Sequence, residues 1–215
     1  PFAKALPDQI IEVGIAEQNL VGISAGLASA GKQVYAVSPA CFLTARGLEQ
    51  IKNDVAYSDN RVKVIGISAG VSYGALGSTH HSLHDFAALQ AINNLDIVAP
   101  ADNFETRSVI QAALDHPRPL YIRFGKQAMP HLHSPETQFA IGKAITVTTG
   151  TDVTFIAIGE PVARACQASR LLAAQGISAG VISMHTLKPL DEATVLAAAS
   201  RAKAIITVEE HSVYG

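Results

Sequence analysis

Residues 62–67 read VKVIGI, and β-branched apolar runs of this kind recur along the chain. They lie at 33–37 (QVYAV), 95–99 (LDIVA), 119–123 (PLYIR), 152–158 (DVTFIAI), 177–183 (ISAGVIS) and 203–208 (KAIITV). Near-continuous apolar strands mark sheets buried on both faces, because a half-exposed strand alternates polar and apolar residues. Stretches with helical spacing separate them, at 17–30, 42–57, 83–92, 103–115, 160–175 and 191–201. Strand and helix in alternation predict an α/β fold, since a parallel pair needs a crossover long enough to hold a helix. Residues 125–141 (GKQAMPHLHSPETQFAI) carry two prolines and two histidines without a period and read as a linker. A division there gives two parallel-sheet α/β units, 1–133 and 134–215.

Composition narrows the setting. At 48% hydrophobic and 16% charged the chain can bury a core, and a net charge of −2 gives no reason to expect nucleic acid or an acidic membrane as partner. No apolar run reaches the ~18 residues of a spanning helix, and no signal-peptide pattern opens the chain. Cys41 and Cys166 sit far apart in apolar segments with no metal or disulfide spacing, so a reduced, cytoplasmic location is expected. The start at Pro1 and the stop at Gly215 after a strand lead us to expect a fragment of a longer protein. The pentapeptide GISAG occurs three times, at Gly22, Gly66 and Gly176, with spacing too unequal for a repeat architecture.

In an open parallel sheet, ligands bind beyond the carboxyl ends of the strands. Three loops leave strands in that direction. The longest, 66–85 (GISAGVSYGALGSTHHSLHD), is rich in glycine and delivers Thr79, His80, His81 and His84 where a helix should start. Imidazoles there suit proton exchange and oxygen recognition. His80 and His84 are also one helical turn apart, which keeps a metal site open as an alternative, as does a plain capping loop with surface histidines. In the second loop, Arg123 ends a strand and has the planar fork that holds anions. In the third (VSPACF), Phe42 opens a helix, where an aromatic is more often core than a platform for a cofactor. His116, His131 and His133 read as solvated loop positions. Glu17 stands at the start of a helix otherwise prepared for burial, a place the helix dipole favours for an acid. Burial there without a cationic partner would raise its pKa and suit it to proton exchange with a ring nitrogen. From the residues alone the candidates are Glu17, His80 and Arg123 in a small-molecule α/β enzyme.

GIAEQN at 14–19, GSTHHSLHD at 77–85, YIRFGK at 121–126, VISMHTLKPLD at 181–191 and ITVEEH at 206–211 occur in this order. Together they resemble the thiamine diphosphate-dependent transketolase family, most closely the C-terminal subunit of split transketolases. Deoxyxylulose-phosphate synthases and the β subunits of 2-oxoacid dehydrogenases are similar in part. The resemblance implies a pyrimidine-binding domain over 1–133 and an incomplete transketolase C-terminal domain over 134–215. It implies a transferase of carbohydrate metabolism that moves a two-carbon ketol unit between sugar phosphates. Glu17 would hydrogen-bond N1′ of the cofactor's aminopyrimidine and Phe42 would stack on that ring. His80 would contact the sugar's reacting hydroxyls, Arg123 would hold a substrate phosphate, and His81 and His84 would add substrate contacts.

The chain departs from the family pattern at Ala45 and Leu48, where aromatics are usual, at Ser68 for a histidine, and at Leu76 for an aspartate. Those departures put the ordinary pentose phosphates in doubt. No GDG motif or Mg²⁺ ligand set is readable. A partner subunit carrying the diphosphate-binding domain, with Mg²⁺ held there, is therefore implied, as is a homodimer through this chain. A non-catalytic assembly subunit is the remaining alternative, weakened by the presence of Glu17.

Overall fold

The computed structural model describes residues 2–134 and 136–215. Pro1, taken as a sign of a fragment, and Pro135, one of the prolines that marked the linker, lie outside the described residues. The strands are β1 (Val34–Pro39), β2 (Val62–Ile67), β3 (Asp96–Val98), β4 (Leu120–Arg123), β5 (Ile145–Thr148), β6 (Val153–Ala157), β7 (Ala179–Ser183), β8 (Thr186–Lys188) and β9 (Ala204–Val208). They form two sheets, ordered β1-β2-β4-β3-β8 and β5-β7-β6-β9. All seven expected strands are present, and the central ones are buried along their length, as their apolar runs require.

The two parallel-sheet α/β units are present, each with one antiparallel edge strand added. Two strands that the sequence reading missed, β5 and β8, run antiparallel to β7 and β3. Each sits at a sheet edge and is short. β5 is buried only at Ile145, so it lacks the double-sided apolar run that marks the others. β8 follows the second unit's β7 in sequence yet pairs with the first sheet, Ile97 opposite Lys188 and Val98 opposite Thr186. The Ala99 N–H extends this seam by donating to the His185 carbonyl at 2.7 Å.

Helices Glu17–Ser29, Asn103–Asp115, Pro161–Ala173 and Glu192–Arg201 fall where their periodicity puts them. Asp102 caps the second by accepting from Glu105 N at 3.0 Å, and Asp191 caps the last from Thr194 N at 3.3 Å. The long helix expected over 42–57 instead breaks into Ala40–Arg46, Leu48–Gln50 and a π-helical turn, Ile51–Tyr57. Gly47 stands at the break: a Cβ there would lie 2.8 Å from the Leu43 carbonyl and 3.4 Å from that of Glu17. The glycine lets this helix close on the first turn of Glu17–Ser29. Val21, Leu43, Ile51, Val64, Phe86, Leu89 and Tyr121 form the main core between them. The 125–141 segment has no helix or strand among its described residues. It is packed rather than loose, with Leu132, Phe139 and Ile141 against the buried clusters.

Candidate active site

Helix Glu17–Ser29 leads down to the start of β1, so its first residue lies at the level of the strands' carboxyl ends. Glu17 is 5% exposed there. Arg46, in the last turn of helix Ala40–Arg46, donates from Nη1 to both of its carboxylate oxygens, at 3.0 and 3.2 Å. Glu17 is therefore buried with a cationic partner, not without one as the sequence reading supposed. The guanidinium is itself half exposed, and its Cζ lies 4.4 Å from the centre of the Phe42 ring. Arg46 was missed although it stands four residues after Phe42, a spacing that puts both on one helix face.

From Phe42 a chain of ring contacts crosses the sheet edge. His80 meets Phe42 edge-on with centroids 5.1 Å apart, and Tyr73 meets His80 edge-on at 5.3 Å. Lys126 Nζ is 4.7 Å from the Tyr73 ring centre. The structure thus brings Glu17, Phe42 and His80 together as the sequence suggested. It adds Arg46, Tyr73 and Lys126. Thr79 Oγ1 lies 3.0 Å from His80 Nδ1, which fixes the imidazole's orientation.

Other expectations are met differently. The helix after the histidine loop starts only at Asp85, so His80 is not on it and His84 is its N-cap residue. His84 Nε2 is 3.3 Å from Thr44 Oγ1, and His81 Nε2 is 3.2 Å from the Gly74 carbonyl. The rings point to separate partners. Among the described residues no group of three or more His, Cys, Asp or Glu side chains is placed to hold a metal ion. His81 and His84, expected to touch substrate, stay part-exposed and exposed, respectively, beside these contacts.

Arg123 is also arranged otherwise than as an open anion clamp. It is 5% exposed, donates from Nε to Asp85 Oδ2 at 2.8 Å, and lies 4.4 Å over the Phe86 ring. Its Nη2 donates to the carbonyls of Ser82 and Glu210, at 3.1 and 2.9 Å. Asp85, fully buried, also accepts from the Tyr121 hydroxyl at 2.9 Å. The low dielectric makes that hydroxyl very hard to ionise: burial pushes the Tyr121 pKa well up, and the Asp85 charge adds to it. Nothing local in the sequence signals the Asp85–Arg123 pair, whose members are 38 residues apart. Lys126, three residues beyond Arg123, is exposed at the same edge.

Two of the supposedly solvated histidines are partnered. His116 Nε2 is 2.8 Å from Asp96 Oδ2. His133 has a side chain 1% exposed, 2.8 Å from Glu105 Oε1. Glu105 also accepts from Ser183 Oγ at 2.6 Å and from Ala101 N at 2.7 Å. Asp96 and Glu105 are the buried acids that draw these rings inward. Only His131 is exposed as expected. Cys41 and Cys166 are both buried and free.

Residues 1–131 match the transketolase pyrimidine-binding domain, and residues 142–215 match the transketolase C-terminal domain. The chain belongs to the transketolase family. It is 51% identical to an apulose-4-phosphate transketolase subunit of Phocaeicola vulgatus, over all of this chain and 69% of that protein. A putative transketolase C-terminal section of Methanocaldococcus jannaschii is 37% identical over all of this chain and 67% of its own length. Among solved structures, a split-gene transketolase described as an inactive β4 tetramer superimposes with a TM-score of 0.91. It is 37% identical and is covered to 69% of its length. As a transketolase, this chain supplies the pyrimidine side of a thiamine diphosphate-dependent transferase.

The residues present fit that cofactor's pyrimidine end. A buried carboxylate offers acceptor oxygens to a ring N–H. The guanidinium beside it is half exposed, and its Cζ lies 4.4 Å from the centre of the half-buried Phe42 ring. No helix of the described residues is long and apolar enough to cross a membrane.

Proposed function

We propose that this transketolase chain is the pyrimidine-side subunit of a split enzyme that moves a two-carbon ketol unit between sugar phosphates. The observation that supports this best is Glu17, a carboxylate almost wholly buried at a sheet's carboxyl edge whose counter-charge, Arg46, is half exposed. Thiamine diphosphate, when bound, supplies the electron sink for breaking and re-forming a carbon–carbon bond beside a ketose carbonyl. Glu17 holds a proton at N1′ of its pyrimidine, and Phe42 gives that ring an apolar neighbour. His80, oriented by Thr79, turns its remaining ring nitrogen to the sugar hydroxyls.

Lys126, rather than the internally engaged Arg123, presents charge to the substrate phosphate. The diphosphate and Mg²⁺ fall to a partner subunit, and this chain pairs with a second copy of itself in a cytoplasmic enzyme. Apulose 4-phosphate, named for the 51% identical relative, is the first ketose to try. Ser68, at φ 53° and buried, and the exposed Leu76 shape the same loop for something other than an ordinary pentose phosphate.

The test mixes the full-length protein with its partner subunit, thiamine diphosphate and Mg²⁺. Ketol transfer from apulose 4-phosphate and other ketose phosphates is assayed beside 2-oxoacid decarboxylation. Ketol transfer is expected. Decarboxylation with acyl transfer to lipoamide and no ketol transfer would overturn the proposal.

A further inference from the structure

Two carboxylates of the second unit reach across to the loops that carry the candidate site. Glu210, just beyond β9, accepts from the backbone N–H of Val71 at 3.0 Å. Glu160, between β6 and helix Pro161–Ala173, accepts from that of Gln127 at 3.2 Å. Both contacts are made beside a glycine whose missing side chain creates the space. A Cβ on Gly70 would lie 2.0 Å from Glu210 Oε2, and one on Gly125 would lie 1.7 Å from Glu160 Oε1. Each loop that leaves the first sheet at β2 or β4 therefore has a seat for one carboxylate, and the seat is backbone.

These seats bear directly on the site. Gly70 and Ser82 exchange backbone hydrogen bonds at 3.1 and 2.8 Å, closing the hairpin-like loop that displays Tyr73 and His80. Gly125 and Gln127 flank Lys126. The Lys126–Tyr73 contact joins the two loops, and Arg123 ties Ser82 to the Glu210 backbone between them. Ser212 N adds a bond to the Leu83 carbonyl at 2.9 Å. The ends of these contacts lie on site-bearing loops, unlike those of the Glu105 cluster, whose partners are Ala101, His133 and Ser183.

We propose that Glu160 and Glu210 are positioning residues: latches by which the C-terminal unit sets the loops bearing Tyr73, His80 and Lys126 for the ketose phosphate. The proposal rests on the reading of that edge as the sugar-phosphate site. It gives the C-terminal unit a role in substrate binding without touching substrate.

The experiment uses the complex with the partner subunit and compares wild type with Glu160→Ala, Glu210→Ala and the corresponding Gln variants. Truncation to Ala is expected to raise KM for the ketose phosphate by roughly 10- to 100-fold, with a smaller fall in kcat, the scale on which misplaced binding groups act. Gln keeps an acceptor oxygen in place and should restore most of the loss. Amide hydrogen exchange gives the second readout. It should quicken over 66–85 in Glu210→Ala and over 124–127 in Glu160→Ala. Gly125→Ala, which evicts the Glu160 carboxylate, should repeat the latter pattern even if an Ala variant folds poorly. Wild-type KM and unchanged exchange in both loops would overturn the latches. Altered exchange in a complex whose wild type shows no ketol transfer would uphold the latches and overturn the reading of the site instead.

Discussion

Two buried carboxylates with nitrogen partners sit at opposite kinds of place in this protein. Glu105, at the seam between the units, is fully buried and accepts from Ala101 N, Ser183 Oγ and His133, all within 2.8 Å. Glu17, at the carboxyl edge of the first sheet, is 5% exposed, and among the described residues its side chain bonds only to Arg46. Every lone pair spent on the fold is one withheld from a ligand. The seam acid is satisfied by groups that are themselves buried: Ala101, Ser183 and the His133 side chain. The edge acid is satisfied by one half-exposed guanidinium. Burial alone therefore does not distinguish the two acids; the exposure of the partner does.

Glu17→Gln is expected to cut ketol transfer in the assembled enzyme by about 10²–10⁴-fold, as for other general acid–base groups, while leaving the thermal midpoint close to wild type. A variant of near-full activity would remove the distinction between the two sites.

Next in size, Glu105→Ala strands Ser183 Oγ, Ala101 N and His133 in a dry seam. A loss of about 3–5 kcal/mol in denaturant unfolding is expected, as for other broken buried pairs. A shift below about 1 kcal/mol would mean that the seam adapts as freely as the edge.

His133 sharpens the same point through pH. Burial pulls its pKa down, but the hydrogen bond and charge of Glu105, with the charge of Asp102, outweigh that and leave it above the ordinary 6.5. A base with a raised folded-state pKa stabilises the fold while protonated. Its contribution is whole below pH 6.5 and fades as pH rises through the folded-state value. His133→Gln should cost about 1.5–3 kcal/mol in mild acid, the range for hydrogen bonds to charged groups, and the gap to wild type should close as pH is raised. A gap that widens with pH would contradict a charged seam.

The smallest effect is expected at Arg46. Because the guanidinium is half exposed, Arg46→Ala should change unfolding free energy by no more than about 1 kcal/mol. A loss as large as that of Glu105→Ala would show that the edge pair holds the fold together, and that Glu17 is no more available than Glu105.

Much of the fold is legible from local pattern. The central strands announce themselves because they are buried on both faces, so VKVIGI and DVTFIAI need no partner to be recognised. Of the four edge strands, β1 and β9 are apolar enough to be read, whereas β5 has a single buried residue and β8 has three residues in all, too little for a pattern. The 42–57 helix was drawn too long because its apolar spacing continues past Gly47, and only the approach of Glu17's helix shows why it breaks there. In the site, Glu17, Phe42 and His80 were readable as polar or aromatic residues at helix starts and in a glycine-rich loop. The expected openness of Arg123 was not, since its partners come from residues 82, 85 and 210.

The sequence by itself determines the alternation of strand and helix, the order of the motifs and the presence of an acid at the start of a small-residue helix. These follow from side-chain period and chain-local chemistry, which act over a few residues. Tertiary structure alone decides which charges are spent and which are left over. It turns Arg123 inward to Asp85, leaves Lys126 at the rim, packs His133 against Glu105 and brings Glu160 and Glu210 to the site loops. The physical reason is that a group's free energy depends on the neighbours that replace its water, and folding draws those neighbours from anywhere in the chain.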